Sequence, residues 1–486
     1  MCGIVGINSE CDLAPVLESM SRGNDDKSIY EDSDVQLGFV RHTIVDTGNR
    51  SRSPFQHGHQ VSLANGELFN FEEIAKSIGL SEYSNDLEVL HHYLLQKGVY
   101  SFPQLNTMLA GAVWDTREKI LYLLRDWVGE MPLHYFFDPK EKRWAFSSDI
   151  ASMLRMIPGI SPLEDVHEVP PGSILEINNE EGTLTKHSYF DITKTDRLEE
   201  DADYDQCKQE LRNKLEKSAQ ERSFFDAPHC VLISGGIDSL ITTHLLLKNR
   251  KQESPLPAYT FHCSDFPEDE NSDLYHARKV VQWLGNKVDH RVVYASAEQI
   301  KKEIFPTIYS LEDTRGRDFN VFTALYNRFL AERIRKDGIR LVYEGEGPDE
   351  ALGAYSAWRK FEFTDEEIGD PLFRKKMISN LSKGVLLRTS KVMMNFGPLE
   401  CRSFFLDRDV MTFLSSLPAN IVRKNGHKKS ILIDAFKDDI PEELLTRLKT
   451  RPQDSTGITS VLENYMEAQK LDFREILLNY FKNIGI

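Results

Sequence analysis

From Gln206 onward, short apolar strands alternate with helices, and this alternation constrains the chain more than any other feature. A helix over about Gln206 to Arg222 is followed by strand HCVLIS, helix DSLITTHLLLKN, strand AYTFHC, helix LYHARKVVQWLG and strand HRVVY. A later helix ends at Gly338, ahead of strand IRLVYEG. Parallel strands need a crossover between them, and a helix is the usual one, so the order predicts a doubly wound parallel sheet covered on both faces. Ligands of such sheets sit at the carboxyl ends of the strands. The last hundred or so residues read as mainly helical.

The first part of the chain has another texture. From Met1 to about Phe190 it is built of short apolar or alternating runs (VQLGFV, QVSLANG, KILYLLRD, RWAFSS, SILEI) punctuated by Gly, Pro and Asn, with one helical run, NDLEVLHHYLLQKG. It predicts layered sheet with few helices. Between the two textures lies ITKTDRLEEDADY, polar and acidic. The expected organisation is a domain over residues 2–190, a linker over 191–205 and a second domain over 206–486, in keeping with a length of 486 residues.

Charge and cysteine content exclude several classes. The net charge of −17 comes without any Lys/Arg block, so nucleic acid is not an expected partner. Six scattered cysteines with no CxxC pair indicate neither a disulfide framework nor a structural zinc. No apolar stretch approaches the ~20 residues of a membrane span, and no secretory leader opens the chain. The expectation is a cytoplasmic protein with reduced thiols and no membrane partner.

Strand VLIS runs directly into SGGIDS, Ser234 to Ser239, and then into a helix. Adjacent glycines expose backbone N–H groups at a helix start, which is a phosphate cradle, and Ser234 and Ser239 add hydroxyls. Asp238 beside a phosphate needs an intervening cation, ordinarily Mg²⁺, so the loop predicts a magnesium nucleotide. It is no Walker loop, since GxxxxGK[ST] is absent. A second element, YEGEGPDEALGAY, follows strand IRLVY. Gly345 and Gly347 permit unusual backbone there, and Asp349 or Glu350 would reach the same sheet edge to complete a metal site. At the other end, MCGIVGIN places Cys2 behind the first methionine. Either Cys2 is a small apolar residue opening a buried strand, or, once Met1 leaves, its thiol and its own amine form a nucleophile and base.

Eleven segments in order resemble the glutamine-hydrolysing asparagine synthetase family: CGIVGI, RGNDD, RHTIVD, NGELFN, SNDLEVL, RDWVGEMPLHY, the PPG near Gly172, SGGIDS, EGEGPDE, LECRSFFLD and RLKTRPQDSTG. The resemblance covers nearly the whole chain. It implies an N-terminal nucleophile glutaminase of four αββα layers, followed by an ATP-pyrophosphatase-like synthetase domain. By that resemblance Cys2 attacks glutamine, and Asn65 with the Gly66 N–H forms the oxyanion hole. Arg41, Ile44, Val45, Glu67 and Asp86 hold the amino acid. In the second domain Ile233, Ser234, Gly235, Gly236, Asp238, Ser239, Gly345 and Glu346 bind ATP, with Asp238 and Asp349 on Mg²⁺. By the same resemblance Lys449 neutralises charge in the adenylation transition state and Glu312 is a carboxylate placed near the acyl-adenylate; the family's acceptor is aspartate, and a homodimer is allowed.

The chain departs from the family pattern at particular places. Glu344 and Pro348 replace serines around GEG, His262 and Cys263 end a strand that usually reads TFS, and Ser390 replaces the aspartate of an RxD[KR] motif. One residue is inserted before Glu400. In the first domain Asn24, His42 and Thr107 replace Pro, Leu and Gly, leaving the named catalytic groups intact. The acceptor is therefore less constrained than the donor. Amidation of another acid and a nucleotide-binding regulatory protein without activity are the competing readings; the Cys2 nucleophile counts against the lactam-forming relatives, which generally lack it.

Overall fold

The computed structural model describes residues 1–23, 25–44, 53–315, 317–354, 367, 369–424, 427–447, 450–469 and 471–484. Twelve strands make two antiparallel sheets: β1 (Gly3–Ile7), β2 (Asp26–Glu31), β3 (Gln36–Arg41), β4 (Phe55–His57), β5 (Gln60–Leu68), β6 (Thr107–Asp115), β7 (Ile120–Arg125), β8 (His134–Asp138), β9 (Arg143–Ser147), β10 (His167–Glu168), β11 (Ser173–Asn178) and β12 (Thr183–Ser188). Their orders are β10-β8-β9-β1-β3-β2 and β12-β11-β7-β6-β5-β4. The sheets face each other across a core that includes Ile4, Phe39, Leu63, Trp114, Trp144 and Phe146. Helix Asp86–Lys97 packs Val89, Leu90 and Leu94 on the outside of the second sheet. Helices Leu13–Ser19 and Ile150–Met156 cover the first. These are the four αββα layers. Because both faces of β5 and β6 are covered, every residue in them is buried and they show no in/out alternation.

The third sheet is parallel: β13 (His229–Leu232), β14 (Leu256–Cys263), β15 (Val288–Ala295), β16 (Leu341–Tyr343) and β17 (Glu400–Arg402), in the order β15-β14-β13-β16-β17. Alternate residues of β13 enter opposite cores: Val231 joins Leu211, Leu240 and Leu414 on one face, and Cys230 joins Phe322, Leu325 and Val392 on the other. Val231 pairs with Ala258 and with Tyr343, so three residues further on the parallel strands deliver Ser234, Phe261 and Glu346 to one edge.

The acidic segment 191–205 is docked along the helices of the third sheet. Ile192 is buried, Lys375 Nζ donates to the carbonyls of Thr195 (2.5 Å) and Asp196 (2.9 Å), and the Leu198 N–H donates to Ser416 O at 3.0 Å. Among the described residues no helix is long and apolar enough to cross a membrane.

Candidate functional site

β1 and β3 are antiparallel with Gly3 opposite Val40, which sets Cys2 beside the Arg41 end of β3. The His42 N–H donates to Cys2 Sγ at 3.3 Å. Burial pushes the Cys2 thiol up to about 11, so at neutral pH it is protonated and needs a base to act as a nucleophile. The Met1 amine is equally buried, donates to Pro398 O at 2.8 Å, and is lowered by desolvation to about 5. An amine in this environment is neutral, which is the form that accepts a proton.

Asn65 and Glu67 share one face of β5, and β5 lies across from β1. Gly66 between them has φ +131°, and a Cβ there would lie 1.9 Å from Met108 O, so only glycine fits. The Asn65 side chain is fully buried, and among the described residues neither Nδ2 nor Oδ1 has a hydrogen-bond partner. A buried amide left unpaired costs about 1–3 kcal/mol, a cost that a developing oxyanion would offset. We expect Asn65→Leu to raise unfolding stability by about 1 kcal/mol or more. The same change should lower glutamine hydrolysis by ~10²–10³-fold. Chemical denaturation beside a glutaminase assay checks both, and a loss of stability would show that the amide is paired.

Three carboxylates, Glu67, Asp86 and Glu400, surround one buried guanidinium, Arg402. Its Nε bonds Glu400 at 2.7 Å and its Nη2 lies 3.4 Å from Glu67 Oε1. Burial raises Asp86 to about 6 against the opposing effect of the Leu68 N–H, which donates to it at 2.8 Å. Burial and the neighbouring Glu400 hold Glu67 well above the usual carboxylate range. An ammonium group set among these carboxylates would offset that burial and favour their ionised forms. Glu400 and Arg402 come from β17 of the third sheet, and sequence reasoning did not place them here; nothing in LECRSFFLD marks it as facing the first strand. Ile44 lines the same cavity, and Val45 lies outside the described residues.

At the third sheet, Gly235 has φ +77°, and a Cβ on it would strike His276 at 2.5 Å. Gly236 would meet only Ser234 Oγ, at 3.4 Å, so its bare face is left open to the cavity. Gly345 approaches so closely that a Cβ would lie 2.7 Å from the Asp238 carbonyl carbon, which presses the loop after β16 onto the phosphate loop. Arg447 locks the arrangement, donating to Ser234 O at 2.5 Å and to Asp273 at 2.6 Å. The cavity beyond, about 720 Å³, is lined by Ile233, Ser234, Gly236, Asp238, Ser239, Gly345, Glu346 and Asp349.

Asp238 and Asp349 share the Lys429 ammonium. The Lys429 ammonium lies 2.5 Å from the first and 2.6 Å from the second, with little exposure of any of the three. The donor set therefore fits a small divalent ion. Among the described residues no three His, Cys, Asp or Glu are disposed to hold a metal, so phosphate oxygens would have to complete its shell, as is usual for Mg²⁺. Lys429, unmarked in the sequence, competes for those oxygens. Lys429→Met should tighten nucleotide-free Mn²⁺ binding by about tenfold or more in an EPR titration. Unchanged or weaker binding would exclude the ammonium as a competitor.

Glu312 is not brought to the cavity. Its carboxylate accepts from the Ile150 (3.2 Å) and Ala151 (2.9 Å) N–H groups at a helix start in the first unit, and pairs with Lys391 at 2.9 Å. Lys449 lies outside the described residues. Among the departures, Glu344 and Ser390 touch: the Ser390 hydroxyl donates to Glu344 Oε1 at 2.8 Å, both buried. Pro348 takes the first turn of a helix, where its missing N–H costs nothing. His262 and Cys263 are buried and do not line the cavity.

Comparison with known proteins agrees with this arrangement. Residues 1–162 match the glutamine amidotransferase domain, and residues 210–377 and 374–475 match asparagine synthase. The chain belongs to the asparagine synthase family. It is therefore an enzyme of the ligase and amidotransferase class. The probable asparagine synthetase of Acanthamoeba polyphaga mimivirus is 25% identical over 97% of this chain and 88% of its own length. Asparagine synthetase B of Escherichia coli is 26% identical over 90% and 77%, and the Gallus gallus asparagine synthetase is 26% identical over 96% and 88%. All three are named glutamine-hydrolysing.

Proposed function

We propose that this protein transfers the amide nitrogen of glutamine to a carboxylic acid at the expense of ATP. The observation that carries the donor half is one small cavity lined by Cys2, Arg41, Gly66, Glu67 and Asp86, with the buried Asn65 amide adjacent to Gly66 in β5. With Met1 removed, the Cys2 amine takes the thiol proton as sulfur attacks the glutamine carbonyl. Asn65 Nδ2 and the Gly66 N–H receive the oxyanion, Glu67 and Asp86 the α-ammonium, and Arg41 the α-carboxylate in its planar fork. Ammonia leaves, and water then releases glutamate from the thioester.

In the acceptor half, the N–H groups and hydroxyls of SGGIDS hold the pyrophosphate part of ATP. Asp238 and Asp349 would hold Mg²⁺, which neutralises phosphate charge. The acceptor carboxylate attacks the α-phosphorus, giving an acyl-adenylate and pyrophosphate, and ammonia displaces AMP. Lys449 is assigned here to charge neutralisation during adenylation. Glu312, tied to Lys391 and a helix start, is given no part in the chemistry. Aspartate to asparagine is the reaction for which the relatives are named, and it is the reference reaction. A second reading, the same chemistry on a different acid, is favoured by the Glu344 and Ser390 pair beside the cavity. The test is stoichiometry: glutamate, AMP and pyrophosphate should form together when glutamine, ATP and an acceptor acid are supplied. Formation of ADP, or no pyrophosphate with any acid, would overturn the proposal.

A further inference from the structure

Glu344 carries β16 one residue further: its N–H donates to Arg402 O at 3.0 Å, so the ladder with β17 runs on past Tyr343. Side chains alternate along a strand, and Glu344 therefore points to the side of Val342, which shares its core with Phe322, Leu325 and Val392. There it lines the cavity at the third sheet, together with Thr323, Asn327 and Thr389. The register sets its depth. Glu346 reaches the edge with Ser234, and Glu344 lies two residues, about 7 Å, further in. Toward the other end of the same two strands, Glu400 pairs with Leu341 and lines the cavity that holds Cys2. Glu344 thus enters the cavity from the direction in which the glutamine site lies.

Its partners set it apart from other carboxylates of the cavity. Asp238 and Asp349 share Lys429, and Asp273 takes Arg447, so their charge is already engaged. Glu346 and Glu350 lie beyond it, at the strand edge and in the helix that follows. Glu344 accepts from a neutral group, the Ser390 hydroxyl, at 2.8 Å. The cations on the surrounding elements turn elsewhere: Lys391 to Glu312, Arg402 to Glu400 and Glu67, Arg388 to Asn320, and Arg222 to Glu130. Burial raises Glu344 to about 7 against the Ser390 hydroxyl, and Glu130 adds to the rise. Cys401 on β17 is a thiol held well above its ordinary range, so it stays neutral. A carboxylate in this position can exchange a proton near neutral pH. We propose that Glu344 is the base of the amidation step. As the nitrogen of ammonia bonds to the acyl carbon, one N–H proton passes to the Glu344 carboxylate, and the acyl C–O bond then breaks, with AMP leaving on its electron pair. This rests on the amidation reading above and adds a residue to it.

The test is a single turnover of the full-length enzyme, in excess over Mg-ATP, with ammonium chloride as nitrogen source and L-aspartate, L-glutamate or succinate as acceptor. Pyrophosphate and amide are read in the same quenched samples. Glu344→Gln keeps an oxygen for the Ser390 hydroxyl, so it should fold, with a urea midpoint at pH 8 no lower than wild type. Its pyrophosphate should appear within about threefold of the wild-type rate, while its amide forms ~10²–10⁴-fold more slowly. At fixed free ammonia, the wild-type amide rate should rise with pH through about 7 as Glu344 ionises, and the variant should lose that rise. Ser390→Ala removes a hydroxyl that favours the ionised form, so it should move the rise to higher pH. Unchanged amide formation in Glu344→Gln, or a pH rise that persists there, overturns the assignment. Equal slowing of pyrophosphate and amide would place Glu344 in the nucleotide site instead. No pyrophosphate from the wild type with any of the acids overturns the amidation reading itself.

Discussion

Cys2→Ala removes glutamine-driven synthesis and leaves ammonia-driven synthesis intact. The thiol is the only sulfur among the described residues lining the glutamine cavity apart from the Met1 thioether, and losing a nucleophile costs ~10⁴-fold or more in related chemistries. Among the described residues, the cavity at the third sheet shares no lining residue with this site. Ammonium chloride should therefore support pyrophosphate release in the variant at the wild-type rate. Loss of both activities would mean that Cys2 holds the two units together, which is a concrete alternative: Met1 bonds Pro398, and Glu400 faces the same pocket. An intact mass short by one methionine is the companion observation, because a retained Met1 leaves Cys2 with no free amine.

Ser390→Asp destabilises the protein by about 3–5 kcal/mol, since it sets a second carboxylate against the buried Glu344. Burial already pushes Glu344 up to about 7, with the Ser390 hydroxyl working against that shift. The two acids would share one proton while Glu344 keeps it, so the damage should be slight near pH 5 and full near pH 8. Adding Glu344→Ser exchanges the pair, leaving one carboxylate and one hydroxyl, and stability should return. The wild type has its own dependence with the same origin. The folded protein holds the Glu344 proton up to about 7 and the unfolded chain releases it near 4.5, so stability falls as pH rises between those values. Urea midpoints for the two single variants and the double variant, at pH 5 and pH 8, decide the matter. Simple additivity of the single effects would show that the two positions are uncoupled.

This pair shows why part of the site was legible and part was not. Glu344 and Ser390 each read in the sequence as an isolated departure from a family pattern. Their hydrogen bond joins residues 46 apart in the sequence, one just after β16 and one opening a helix, and no local period connects such places. Pro348, the other departure beside GEG, opens the short helix Pro348–Ala351 in the structure.

What the sequence by itself determined is what depends on neighbours along the chain. The alternation after Gln206 implied the parallel sheet, because a strand and its crossover are consecutive. SGGIDS implied a phosphate loop, because its glycines, hydroxyls and helix start lie within six residues. Cys2 stood out through its place behind Met1, whereas Asn65 and Gly66 were named only through the family resemblance. Only the tertiary structure decided the charge partners. Glu400 reaches the cavity beside Cys2 from the third sheet and Arg402 pairs with Glu67 there, Lys429 lies between Asp238 and Asp349, and Glu312 turns away to cap a helix of the first unit. A buried charge is satisfied by whichever opposite charge the packing brings within about 3 Å, and sequence distance has no part in that choice.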